Sequence, residues 1–206
     1  MKTIVWDVDD VLNDLMKAWF DDWISSRGSL HPISYDQLTS NPPHEILKIS
    51  MPEYLASLDA FRLSRKARNM RPMPEVLEWF SRNGDSFHHV ALTAAPLCAT
   101  HVSAGWVMRN FGRWIHSFNV VPSRRPHGQN GQPNADKIEF LRWWGKGDVL
   151  VDDNPQNVAG ALSIGMDAVL IPRPWNGSEL SLDQAIETLT KLALRPAGVY
   201  SQEACC

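Results

Sequence analysis

The chain has 206 residues with a formal charge of −3, and 44% of them are hydrophobic, enough for one substantial domain plus a small insertion. That charge gives no sign of a nucleic-acid-binding surface, and no run approaches the roughly 18 apolar residues of a membrane span. Three cysteines, two of them the adjacent Cys205 and Cys206, make no disulfide framework, and the chain opens without a signal-peptide pattern; a cytoplasmic protein is expected.

The first predicted strand is the apolar run Ile4 to Trp6, and it ends in Asp7, Asp9 and Asp10. Carboxylates at that density repel one another and resist burial, so placing them at a strand end calls for a compensating cation. Read as strand positions two apart, Asp7 and Asp9 point to the same side. Oxygen ligands alone suit Mg²⁺, although a solvated acidic turn has the same composition.

From about Asn13 to Arg27 the sequence predicts a helix with Leu15, Trp19, Phe20 and Trp23 at helical spacing. An aromatic stripe of this kind packs a core, or sets one ring, such as Trp19, against a substrate. Asn41-Pro42-Pro43 and Met51-Pro52 are expected to start short helices, and Pro72 and Pro74 mark a return to the main fold.

After a helix over Glu75 to Arg82 comes the strand His89 to Thr93. Thr93 can donate to a phosphoryl oxygen beside the N–H groups of the next helix, or simply cap that helix. His88 and His89 fall on opposite faces of the strand and so cannot bind one metal together. A helix over Leu97 to Phe111 and a strand over Phe118 to Val121 follow, then a polar loop. Arg124 in that loop, next to Arg125, could clamp a second anionic group; a basic pair in a loop is otherwise solvated.

Lys137 opens a helix, where it opposes the helix dipole, so an anionic neighbour is expected. The strand ending in Asp152 and Asp153 repeats the first design: an apolar run, paired aspartates, a proline and a helix. Two such strands side by side in a parallel sheet would bring their carboxylates to the edge where α/β ligands bind. A strand over Ala168 to Ile171 and a helix over Leu182 to Leu194 end the pattern.

The ordered set of Asp7-Val8-Asp9, Thr93, Lys137 and Asp152-Asp153 resembles the haloacid dehalogenase-like (HAD) phosphohydrolase superfamily, from Lys2 to about Pro174. The resemblance implies an α/β fold: a Rossmann-like core of central parallel sheet flanked by helices (1–13 and 75–206), with a small helical cap (14–74) inserted after the first strand. It makes Asp7 the nucleophile and Asp9 the general acid/base. Thr93, Ala94 and Lys137 would hold the phosphoryl group, and Asp7, Asp9, Asp152 and Asp153 would form a Mg²⁺ site. Asp10 stands where many members carry glycine. Possession of Asp9 sets the chain apart from the true dehalogenases, which lack that second aspartate.

Thr93-Ala94-Ala95-Pro96, Gly105-Trp106-Val107 and Asn110-Phe111-Gly112 are loosely similar to the 5′(3′)-deoxyribonucleotidases, with Ala94 where that family usually has serine. The expected activity is Mg²⁺-dependent hydrolysis of a small-molecule phosphate monoester, a 5′-nucleotide among the options. Phosphotransfer or phosphomutase chemistry on the same aspartyl-phosphate, and a non-catalytic binding protein, are the alternatives. No nucleic-acid polymer or membrane partner is expected, and the sequence leaves the oligomeric state open.

Overall fold

A computed structural model describes residues 1–27, 32–123 and 136–196. Five strands, β1 (Thr3–Trp6), β2 (His88–Thr93), β3 (Ile115–Val120), β4 (Val149–Asp152) and β5 (Asp167–Leu170), form one parallel sheet in the order β3-β2-β1-β4-β5. The central strand β1 pairs Val5 with Val90 on one side and with Leu150 on the other. Its residues are an unbroken apolar run because both faces of the sheet are covered. β3 is an edge strand with His116 and Ser117 exposed. The strand begins at Ile115 rather than at the expected Phe118, because its exposed polar start gives no apolar signal in the sequence.

The helices are α1 (Leu15–Ser26), α2 (Met51–Leu63), α3 (Arg65–Arg68), α4 (Pro74–Asn83), α5 (Leu97–Phe111), α6 (Lys137–Trp144), α7 (Pro155–Ser163) and α8 (Leu182–Leu194). Strand alternation sorts the core. Ile4, Trp6, Ala91, Val149 and Val151 pack with Val76, Trp79 and Phe80 of α4, Trp106 of α5 and Leu189 of α8. Val5, Leu92 and Leu150 face Phe140 and Leu141 of α6 and Ala161 of α7.

Residues between β1 and α4 carry a separate apolar cluster built from Leu15, Trp19, Phe20 and Trp23 of α1, Leu38, Leu47, and Tyr54, Leu58 and Phe61 of α2. The chain leaves for this block and returns from it side by side: Asn13 bridges Pro72, and the Met73 amide donates to Leu12 O at 2.9 Å. Ser50 caps α2 by accepting from the Glu53 amide, with Pro52 in the first turn. The Asn41-Pro42-Pro43 segment starts no helix and leads only into turns; a proline has no N–H to give the ladder and holds the residue before it out of the α region. Among the described residues, no helix is long and apolar enough to cross a membrane. Arg124, Arg125, Cys205 and Cys206 lie outside the described residues.

Candidate active site

Because β1, β2 and β4 are adjacent and parallel, the residues that follow them meet at one edge of the sheet, where the chain order turns from one side of β1 to the other. Asp7 comes just past β1, its amide held by Val151 O at 2.9 Å. Thr93 ends β2, and Asp152 ends β4. Lys137 enters from the first position of α6, a helix capped by the Asp136 carboxylate, which accepts from the Ile138 and Glu139 amides.

The Lys137 ammonium lies 2.8 Å from Asp7 Oδ1 and 2.7 Å from Asp152 Oδ2, with all three side chains buried. The anionic neighbour expected from its helix position is therefore double. Burial works against the charge on Lys137, but Asp152 and Asp7 outweigh it and raise its proton affinity. Asp7 is pushed well above the usual carboxylate range by burial; Lys137 opposes the rise, and Asp152 and Asp153 add to it. Asp153 is carried up to about 7 by burial, then by the charges of Asp10 and Asp152.

One oxygen each from Asp7, Asp152 and Asp153 lies within 4.8 Å of the others. The donors around them differ. Asp152 accepts from Lys137, from the Asn154 amide and from Asn157 Nδ2 on both oxygens. Asp7 receives the Val8 amide on Oδ1, and Asp153 receives Trp175 Nε1 on Oδ2. Asp7 Oδ2 and Asp153 Oδ1 accept no hydrogen bond among the described residues. The cluster is thus a buried, all-oxygen set with too little positive charge, which fits a hard divalent cation such as Mg²⁺. Asp7 and Asp153 each keep an oxygen free of hydrogen bonds among the described residues, while Asp152, the third of the set, also holds Lys137.

Asp9 departs from the strand reading. β1 stops at Trp6, so two-residue alternation does not reach positions 7 and 9. Instead of joining the other carboxylates, Asp9 Oδ2 lies 3.0 Å from Arg62 Nη2 of α2. Asp10 takes a left-handed backbone, φ +62°, which glycine would adopt without strain. Arg173 secures it, Nε and Nη2 donating to Asp10 O at 2.8 and 2.6 Å, and the Met16 amide donates to the Asp10 carboxylate. Burial raises Asp10 to about 7 despite the Arg173 charge.

A cavity of about 140 Å³ opens at this edge, lined by Asp7, Asp9, Asp10, Thr93, Ala94, Ala95 and Asp153 from the sheet side. Its other wall is Leu15 and Met16 of α1, Asn41, and Tyr54, Leu58 and Arg62 of α2. Thr93 Oγ1 accepts from the Ala95 amide at 3.2 Å, which begins the turn into α5. Trp19 is not in that wall. The residue is 1% exposed, and its ring packs on Trp23 and Tyr54 and donates to Ser57 Oγ. Leu15 and Met16 are the residues of its helix that face the cavity. Arg124 falls outside the described residues.

Sequence reasoning missed Arg62, Asn157 and Arg173. Asn157 stands one helical turn after Asp152–Asp153, a spacing that could have flagged it. Arg62 and Arg173 carry no local signal; they are 53 and 163 residues from the groups they bind.

No protein-family model matches the sequence, and no curated protein matches it at a significant level. Solved structures do. A haloacid dehalogenase-like family hydrolase from Streptococcus pneumoniae aligns with a TM-score of 0.60 at 12% identity, covering 92% of this chain and 97% of that one. A predicted phosphatase from Clostridium acetobutylicum aligns at 0.57 and 15% identity, covering 94% and 98%. A HAD-superfamily hydrolase of subfamily IA from Geobacter sulfurreducens aligns at 0.52 and 15% identity, covering 93% and 96%. The fold is the HAD fold. These likenesses span nearly the whole chain, the helical block included.

Proposed function

We propose that this protein is a Mg²⁺-dependent phosphatase of small phosphate monoesters, working through an aspartyl-phosphate on Asp7. The observation that carries the reading is Lys137 buried between Asp7 and Asp152, directly behind a cavity that Asp7, Asp153 and Thr93 line. A buried ammonium shared by two carboxylates is costly for stability alone; it is well placed to neutralise a phosphoryl group.

In this reading Asp7 attacks phosphorus and the ester oxygen leaves, taking a proton from Asp9. Water then attacks the aspartyl-phosphate, with Asp9 accepting its proton, and phosphate departs. Thr93 and the amides after β2 hold phosphoryl oxygens, Lys137 balances their charge, and Asp152 with Asn157 keeps Lys137 in place. Mg²⁺ held by Asp7 and Asp153 would supply further charge neutralisation and favour the ionised form of Asp7. The block from 14 to 74 acts as the cap, with Leu15, Met16, Tyr54 and Leu58 closing the cavity over the leaving group.

At about 140 Å³ the cavity is below the roughly 300–1,000 Å³ of sites that enclose drug-sized ligands. That size, and the burial of Trp19 away from the cavity, support a small leaving group over a nucleoside. The same roof would also shield an aspartyl-phosphate from water, the feature that favours the second reading, phosphotransfer to another hydroxyl. A phosphate-release screen with Mg²⁺ over nucleotides, sugar phosphates and short-chain esters, run with and without alcohol acceptors, tests both. Release from small esters supports hydrolysis, acceptor phosphorylation without free phosphate supports transfer, and the absence of both contradicts the proposal.

A further inference from the structure

We infer that Arg62 is a specificity-determining residue which selects phosphate esters whose leaving group carries a carboxylate. The inference rests on the phosphatase reading above and names its substrate class. If Asp9 protonates the departing oxygen, the leaving group sits beside Asp9, and Arg62 Nη2 is 3.0 Å from that carboxylate. Among the described residues, Arg62 is the one cation lining the cavity, against Asp7, Asp9, Asp10 and Asp153. Lys137 stands behind the Asp7 wall, bonded to Asp7 and Asp152, so it serves the phosphoryl side and leaves Arg62 to serve the leaving group.

The guanidinium is preorganised rather than free. Asp59, one turn earlier on α2, lies 3.5 Å from Nη1, and the side chain is 15% exposed. Its Nε–H is buried and has no acceptor among the described residues, an arrangement that leaves a donor wanting one. A planar fork with an unsatisfied donor matches a carboxylate edge. The remaining walls on this side, Leu15, Met16 and Leu58, are apolar and would pack a carbon chain. A cavity of about 140 Å³ suits a short carbon chain beside a phosphoryl group.

The test compares 3-phosphoglycerate with glycerol 3-phosphate, which differ by a carboxylate in place of a hydroxymethyl group. Wild-type kcat/KM is expected to favour the carboxylate ester by roughly 10- to 100-fold, the range of a hydrogen bond to a charged group. Arg62→Met should bring that ratio to about one, mostly through KM, and Arg62→Lys should keep part of it because the charge remains and the fork is lost. Melting temperatures identify a variant that fails to fold, in which case Arg62→Lys alone carries the comparison. A wild type indifferent to the carboxylate, or a ratio unmoved by either variant, overturns the inference. If no ester is hydrolysed at all, the phosphatase reading fails separately. The same two esters then serve as ligands in thermal-shift titrations, where a shift favouring 3-phosphoglycerate in wild type and lost in the variants still supports Arg62, and equal shifts overturn it.

Discussion

Two places in this molecule bury titratable side chains against the same sheet, and they handle them in opposite ways. At the ends of β1, β2 and β4, Lys137, Asp7, Asp152 and Asp153 are buried with charge set against charge. Within the sheet, His89 of β2 is 4% exposed among Trp6, Trp79 and Phe80, with no counter-charge among the described residues. Its Nδ1 accepts from Trp6 Nε1 at 3.0 Å, so Nε2 carries the proton and donates to Gly84 O at 2.9 Å. Both ring nitrogens are satisfied only in the neutral form, and burial pushes His89 down to about 4. Where a fold needs only packing it buries a neutral polar group; where it buries an ammonium among carboxylates, a charged ligand is the natural reason.

The largest test of that contrast is Lys137→Met. It leaves two buried carboxylates without their cation, and the loss of stability near neutral pH should be about 3–5 kcal/mol by urea unfolding. A cost below about 1 kcal/mol would mean that the cluster is wetter and less coupled than its geometry implies.

Acid should reveal His89 next. Its folded value of about 4 lies below the roughly 6.5 of an unfolded histidine, so the unfolded chain binds the extra proton first. Its contribution is complete above about 6.5 and is lost as pH falls from there towards 4, amounting to about 3 kcal/mol. His89→Leu should remove that segment of the stability–pH curve; an unchanged curve would show that His89 takes up its proton without cost.

Mg²⁺ should then separate the two regions. An ion held by Asp7 and Asp153 stabilises by mass action, about 2.7 kcal/mol at a concentration 100 times its dissociation constant. Melting temperature should rise with Mg²⁺ in wild type and in His89→Leu, and Asp153→Asn should erase most of the rise. At the small end, Lys17–Asp21 on α1 is an exposed pair, 47% and 59% accessible. Lys17→Ala should cost at most about 0.5 kcal/mol, because solvent screens what burial amplifies around Lys137.

Much of this was legible in the sequence, and the failures have physical causes. Ile4–Trp6 and Val149–Val151 read as buried strands because their neighbours cover both faces, and α5 and α8 span the residues that their apolar periodicity predicts. The convergence of Asp7, Thr93, Lys137 and Asp152 was readable because each terminates or begins a regular element. Asp9 lines the cavity with Asp7, but its pairing with Arg62 was not foreseen, because alternation was carried past the end of a four-residue strand. Arg62 was invisible since its partner is set by how α2 lies over the loop after β1, a property of the tertiary fold. Trp19 followed the ordinary rule for aromatic stripes and packs inside the helical block.

The central claim is that Asp7 is the attacking group in a cluster whose buried charge serves phosphoryl transfer. Asp7→Asn keeps its shape, removes the nucleophile and relieves repulsion from Asp152 and Asp153. Side by side with wild type, phosphate release from the preferred ester should fall by at least about a thousandfold, while the metal-free melting temperature holds or rises. Turnover within a few-fold of wild type, in a variant that folds normally, would contradict the account.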